Sequence, residues 1–445
     1  MTTGHTSNEI GQAPDNPPSA NAEGRSRRGR ILRVIVLFAA LLLVAGVIIV
    51  RKTLAYTIWG FDMPALQGNY EVGRVSWDVL SPDRMEVFSE DPADRREIRV
   101  DVYYPAKDSS VRQPGVYLEP QIAEGVTGLP AFVVSKIRPN WRPGAEPDRS
   151  GAPYPVLLFS PGVEGPPVFY TSLLEQLASQ GYVIVALWHP YTTSRTLFSD
   201  GRIVESKYEA NGAMWEGDEA SREAAKQRVS AVWAEDVRMA LDEVAKRNED
   251  EEYGGLFDLQ RVGVFGHSFG GQNAAAAMTI DPRIRAGLNM DGTAVYQPIL
   301  DKGVTGAFAL LYDTFEPPPI EYLQSKGKST REWWIEDWSP RNCPNALRQN
   351  ASQFYAFQID GLSHEGFCTD LSLLQEVFPF AITQDMVGTV DGRRLLDMLS
   401  TLVQGFFDKH LSGKEVPFLQ QPQEAFPELH TGIKGYPDPS LAPPN

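Results

Sequence analysis

The chain has 445 residues, with 41 Lys and Arg against 57 Asp and Glu and a formal net charge of −16 at neutral pH. That shortage of basic groups argues against a nucleic-acid partner, because binding such a polyanion depends on displacing its counterions. Apolar residues at 42% and aromatic residues at 10% suit a globular core, while two cysteines make neither a metal framework nor a disulfide scaffold.

Residues 1–30 are polar, rich in Gly, Pro, Ser and Asn, and are expected to be a disordered tail. Ile31 to Val50 is apolar and carries no charge from Val34 onward. A transmembrane helix needs about 17–25 such residues, and a buried soluble helix is not normally apolar on every face. A cleaved signal peptide is the rival, but its apolar region is usually about 7–15 residues long. Here the run is longer and stops at Arg51-Lys52 with no A-x-A site. Ser26-Arg27-Arg28 is similar to a twin-arginine signal, yet Arg30 stands where an apolar residue is usual. The reading is an uncleaved single-pass anchor over 31–52 that engages the cell membrane through 31–50. Arg25, Arg27, Arg28, Arg30 and Arg33 would keep the N-terminal tail cytoplasmic and the remainder extracytoplasmic.

Residues 53–411 read as one α/β domain. Arg74–Phe88 and Arg96–Tyr104 have the pattern of opening antiparallel edge strands. Pro155–Phe159 and Tyr182–Leu187 are continuous apolar runs, as strands buried on both faces should be, with a crossover helix over Ser172–Ser179. Val229, Val232, Trp233, Val237, Ala240, Leu241 and Val244 recur at helical spacing within Ser221–Arg247. Strands are expected at Arg261–Phe265, Ala286–Met290, Ala307–Tyr312 and Phe354–Ile359, and a closing helix at Arg393–Leu411. Alternating strands and helices predict an α/β fold with a mostly parallel sheet flanked by helices. The Pro-rich residues 412–445 are expected to run loosely over the surface.

Gly266-His267-Ser268-Phe269-Gly270 is a G-x-S-x-G pattern placed between the Arg261–Phe265 strand and the helix-favouring Gln272–Met278. Strand, sharp turn and helix are the context of a nucleophile elbow. A serine that attacks a carbonyl must stand clear of the backbone on a strained turn, so its neighbours cannot carry bulk. The same turn aims the Phe269 amide at a nascent oxyanion. The plainer alternative is a Gly-rich turn whose serine only caps the helix.

Such a serine needs a base and a group that orients it, in the chain order serine, acid, histidine. Of six histidines, His5 and His430 lie in the tails, His267 inside the elbow, His410 on the closing helix, and His189 ahead of the serine. His364, in a loop after the last expected strand, remains. Asp291 and Asp313 each end a strand at the carboxyl edge, where open α/β sites lie, and position alone leaves both open. The long connection Phe315–Asn350 carries Trp333, Trp334 and Trp338, which would either line an apolar acyl site or bury against the domain. Cys343 and Cys368 could form one bridge or remain two buried thiols.

Tyr103-Tyr-Pro-Ala106, Leu158-Phe-Ser-Pro-Gly-Val163, Leu177-Ala-Ser-Gln-Gly-Tyr182, Gly266-His-Ser-Phe-Gly-Gly271, Leu288-Asn-Met-Asp291 and His364-Glu-Gly-Phe367 form an ordered set. Through it the chain, from about Tyr70 to Leu411, resembles the plasma and intracellular type II platelet-activating factor acetylhydrolases and their bacterial relatives. The resemblance implies the α/β-hydrolase fold, with Ser268 as nucleophile, Asp291 as acid, His364 as base, and the Val163 and Phe269 amides as oxyanion donors. Pro161-Gly162 stands where the family often has His-Gly; proline lacks an N–H, but the donor needed is Val163. Trp188-His189-Pro190 also departs from the family, in a loop expected to border the acyl or leaving-group pocket.

The sequence therefore reads as a membrane-anchored serine esterase without metal or organic cofactor. Its substrate, by resemblance, is a short-acyl or oxidised-acyl lipid ester, phospholipids included. Two other functions fit less of the pattern: a general carboxylesterase or polyester hydrolase, and a non-catalytic binding module, which would have no need of all three triad residues.

Overall fold

The computed structural model describes residues 20–108, 115–314, 320–328 and 344–432. These divide into two units, Met1–Ile58 and Trp59–Asn445. The first contains most of a helix, α1, that runs Ala20–Trp59. Residues 20–30 are thus helical where a disordered tail was expected, the helix continuing back through arginines that favour it. Described apolar side chains from Ile31 to Val47 are exposed. Positions 41, 42, 45, 48–50 and 52 of the expected anchor lie outside the residues whose side chains are described. Among the described residues, no helix is long and apolar enough to cross a membrane.

The second unit is built on a ten-stranded sheet. Its strands are β1 (Glu71–Met85), β2 (Arg95–Ala106), β3 (Arg142–Pro143), β4 (Tyr154–Ser160), β5 (Val183–Trp188), β6 (Phe257–His267), β7 (Ile284–Met290), β8 (Gly306–Tyr312), β9 (Ala351–Ile359) and β10 (Leu429–Thr431). The spatial order is β10-β9-β8-β7-β6-β4-β5-β2-β1-β3. From β9 to β5 every pair is parallel; β2 joins β5 and β1 antiparallel, and β10 closes the other edge antiparallel to β9. This is the expected α/β-hydrolase sheet, with helices α2 (Thr171–Ser179), α3 (Glu219–Arg247), α4 (Phe269–Ile280) and α5 (Gly392–Ser412) against it.

Strand alternation divides the core between the two faces. Val262 and Val264 on β6 join Val156 and Leu158 on β4 in a cluster with Val237, Leu241 and Val244 of α3 and Ala274–Ala277 of α4. On the opposite side Phe265 packs tilted against Phe159 and meets Phe407 of α5 edge-on. The small residues of α4 let that helix, buried along most of its length, lie close to the sheet. Its first residue follows Ser268 directly, so the sheet and α4 fix the elbow from both sides.

The C-terminal segment does not run loosely as far as it is described. Leu429 is fully buried, β10 pairs with β9, and His430 Nε2 lies 3.1 Å from Asp360 Oδ2. The open backbone edge of β9 supplies the pairing that three residues could not find alone. Residues 433–445 lie outside the described residues.

A buried ionic cluster ties the antiparallel edge to the helices. Asp236 on α3 takes Arg96 Nε at 3.0 Å and Arg96 Nη2 at 2.5 Å, Arg84 Nη1 at 2.9 Å, and His189 Nδ1 at 2.9 Å. Burial opposes its charge, yet Arg96, the His189 bond and Arg84 hold the Asp236 carboxyl well below the usual carboxylate range. Removing one partner of such a set strands the others without solvent. Asp236→Ala is therefore expected to lower stability by roughly 3–5 kcal/mol, measured by urea denaturation followed by circular dichroism.

Candidate active site

The elbow is strained where the sequence requires. Ser268 has φ 56° and ψ −126°, in a region that L-residues with side chains rarely occupy. The flanking glycines make this possible. A Cβ on Gly266 would lie 2.3 Å from the Gly270 carbonyl oxygen, and one on Gly270 would lie 2.1 Å from that of Ser160. The Ser268 amide donates to the Met290 carbonyl at 2.8 Å, pinning the turn to the end of β7.

The next residue along from Met290 is Asp291, also at positive φ, 57°. Its amide donates to the Leu311 carbonyl of β8 at 2.7 Å, and its Oδ2 lies 2.5 Å from His364 Nδ1. His364 Nε2 is 3.0 Å from Ser268 Oγ. The structure thus brings Ser268, His364 and Asp291 into one hydrogen-bonded chain, and of the two carboxylates left open by sequence it is Asp291 that meets the imidazole. Asp313 ends the neighbouring strand close enough to act through space. Burial and the Asp291 carboxylate push the Asp313 carboxyl up to about 7, against the pull of His364. For His364, burial disfavours the charge, but the Asp291 bond and charge, with Glu365 and Asp313 behind them, outweigh it and raise the imidazole above its ordinary pKa.

Of the two expected oxyanion donors, Phe269 directly follows the serine and half-buried Val163 packs against the cluster that holds the Phe269 ring. Phe269 opens α4, and neither its amide nor that of Val163 donates to a protein acceptor among the described residues. The adjoining Gly162 is so near that a Cβ there would touch Ser268 Cβ at 3.4 Å. The loop is held by Glu164, at φ 63°, whose amide donates to the Thr192 carbonyl at 3.0 Å, while the Gly165 amide donates to the Gly162 carbonyl at 3.1 Å.

Two expected pocket residues are misplaced. Trp188 is 1% exposed and its Nε1 donates to Asp101 Oδ2 at 2.8 Å; β5 runs through it, so it is a core residue and not a loop residue. His189 is fully buried and stacks on Trp233 at 3.8 Å. Its Nε2 lies 3.3 Å from Ser160 Oγ, so Ser160, His189 and Asp236 form a second serine–histidine–carboxylate chain. All three are fully buried, the carboxylate is already matched by two arginines, and burial holds the imidazole below its ordinary pKa despite Asp236. This array braces the fold beneath the elbow helix, where Asn273 Nδ2 also reaches Ser160 Oγ at 3.0 Å. The apolar wall near the serine is instead Phe269 with Trp233, Met214 and Val229, against which half-buried Val163, Tyr191 and Val295 pack. Trp333, Trp334, Trp338 and Cys343 lie outside the described residues. Cys368 is a buried free thiol. Among the described residues no cluster of His, Cys, Asp and Glu could hold a metal ion.

A family model described as platelet-activating factor acetylhydrolase, isoform II, matches residues 59–299, which hold Ser268 and Asp291. A probable 1-alkyl-2-acetylglycerophosphocholine esterase of Arthroderma benhamiae is 25% identical over 316 residues, covering 68% of this chain and 73% of that protein. The platelet-activating factor acetylhydrolase of Cavia porcellus is 24% identical over 216 residues, 43% of this chain and 49% of that protein. The solved structure of a ferulic acid esterase from Streptomyces cinnamoneus is similar with a TM-score of 0.67 and 26% identity, over 84% of this chain and 99% of the esterase.

An imidazole can accept a proton only when neutral, so a reaction using His364 as base gains rate as pH rises through its raised pKa. Asp313→Asn removes one of the charges that raise it. The acidic limb of kcat/KM for p-nitrophenyl acetate is expected to move to lower pH in that variant, with the plateau rate retained.

Proposed function

The chain belongs to the platelet-activating factor acetylhydrolase, isoform II, family, and on that premise we propose that Ser268, His364 and Asp291 hydrolyse a short-acyl or oxidised-acyl lipid ester. At the coarser level it is a serine hydrolase acting on carboxylic ester bonds. The observation that carries the mechanism is the hydrogen-bonded chain from Ser268 Oγ through His364 to Asp291, at 3.0 and 2.5 Å.

In this mechanism Ser268 Oγ attacks the ester carbonyl carbon while His364 Nε2 takes its proton. Asp291 keeps the other imidazole proton on Nδ1 and stabilises the imidazolium. The carbonyl electron pair moves onto oxygen, where the Val163 and Phe269 amides donate to it, each such donor typically worth about 10²–10³ in rate. His364 returns the proton to the departing alcohol. Water, deprotonated by the same nitrogen, then releases the acyl group.

The lipid preference is supported by the relatives named above. A general carboxylic ester is the second reading, favoured by the near-complete coverage of the ferulic acid esterase. The membrane anchor over 31–52, with a cytoplasmic N-terminus and an extracytoplasmic catalytic domain, is proposed from the sequence alone: an apolar run behind an arginine cluster. It would keep the site near lipid.

The test compares wild type with Ser268→Ala on p-nitrophenyl esters of increasing acyl length and on a short-acyl phospholipid. The substitution is expected to lower kcat by several orders of magnitude, up to roughly 10⁶. Activity confined to short chains and including the phospholipid supports the lipid-ester reading; a broad profile that omits the phospholipid favours the general esterase.

A further inference from the structure

A buried hydroxyl sits between the two halves of the oxyanion site and belongs to neither the triad nor the donors. Tyr170 is fully buried. Its hydroxyl oxygen receives the Gly162 amide at 3.3 Å and lies 2.7 Å from His267 Nδ1. Gly162 immediately precedes the donor Val163, and His267 immediately precedes Ser268. The Cys368 thiol also donates to this oxygen, at 3.2 Å. The Cys368 sulfur lies 3.9 Å from His267 Nδ1 and 3.8 Å from Glu365 Oε2 as well, so phenol, thiol and imidazole form one buried hydrogen-bonded group.

The other ring nitrogen of His267, Nε2, is buried with no hydrogen-bond partner among the described residues. The His267 and His364 rings are 4.7 Å apart, centre to centre. Burial, with His364 alongside, holds His267 well below the ordinary imidazole pKa. It therefore stays neutral beside a ring that becomes cationic in the proposed cycle.

We propose that Tyr170 is a positioning residue for ester hydrolysis, its hydroxyl tethering the Pro161–Gly162 peptide, next to the peptide that carries the Val163 N–H, to the elbow through His267 so that the Val163 amide points at the oxyanion. The inference rests on the esterase reading above. Tyr170 touches no reacting atom. Its effect runs through the direction of one N–H, and a preformed donor loses much of its value when misdirected.

Tyr170→Phe, His267→Leu and the double variant decide the matter, each assayed on p-nitrophenyl acetate after active-site titration. A trifluoromethyl ketone supplies the second readout: Ser268 Oγ adds to its carbonyl carbon, the proton passes to His364, and the carbonyl pair becomes a stable oxyanion in the hole. Each single variant is expected to lose roughly 10-fold in kcat at nearly constant KM, and to bind the ketone weaker by a similar factor. The double variant should lose no more than either single, as two parts of one tether do. Loss of titratable sites alone, with kcat per site and ketone affinity at wild-type values, would mark a structural role and overturn the proposal. Losses that multiply in the double variant would also overturn it. If Tyr170→Phe does not fold, His267→Leu is read against the same outcomes. Wild type that does not turn over would sink the esterase reading itself, whereas active wild type with unaffected variants would remove only the tether.

Discussion

The site depends on one backbone constraint: a serine held at φ 56° between a buried strand and a buried helix. That conformation persists only when its surroundings over-determine it. Here Gly266 and Gly270 let the main chains of β4, β6 and α4 close to within distances that no side chain would allow. The Ser268 amide is then fixed to β7 by the Met290 carbonyl. The parallel register that places Met290 beside His267 also places Asp291 at the edge of the same turn. Nucleophile and acid are thus positioned by one piece of sheet geometry, and only His364 has to arrive from elsewhere, on a loop.

A comparison within the molecule separates geometry from reactivity. Ser160, His189 and Asp236 reproduce the donor–acceptor order of Ser268, His364 and Asp291. What differs is the environment. The first set is sealed from solvent and its carboxylate is matched by arginines, so the imidazole gains little from it. The second set keeps its histidine side chain 42% exposed and surrounds it with carboxylates that, among the described residues, no arginine matches. Charge development is supported only in the second.

Much of this was legible in the chain because the signals are local. The elbow motif, the apolar runs that became β4 and β5, and the periodic residues of α3 and α5 each state their structure within a dozen residues. His364 followed by elimination. Asp291 and Asp313 could not be separated from position, since both end adjacent parallel strands and strand register is not written locally. The shift expected in Asp313→Asn has its origin there: the carboxylate not chosen as the acid still acts on the base. Trp188 and His189 were misread because a strand that runs one residue further turns a loop into core. The three residues of β10 carry too short a pattern to announce pairing. Tyr170 had no signal at all, as its contact with His267 joins positions 97 residues apart.

The account's central claim is that Ser268 is the activated nucleophile of this chain. A fluorophosphonate reacted with the folded protein, followed by peptide mass spectrometry, tests it most directly. The account predicts a single adduct on Ser268, lost when His364 is replaced by alanine. No adduct on folded protein, or an adduct at another residue, would contradict it.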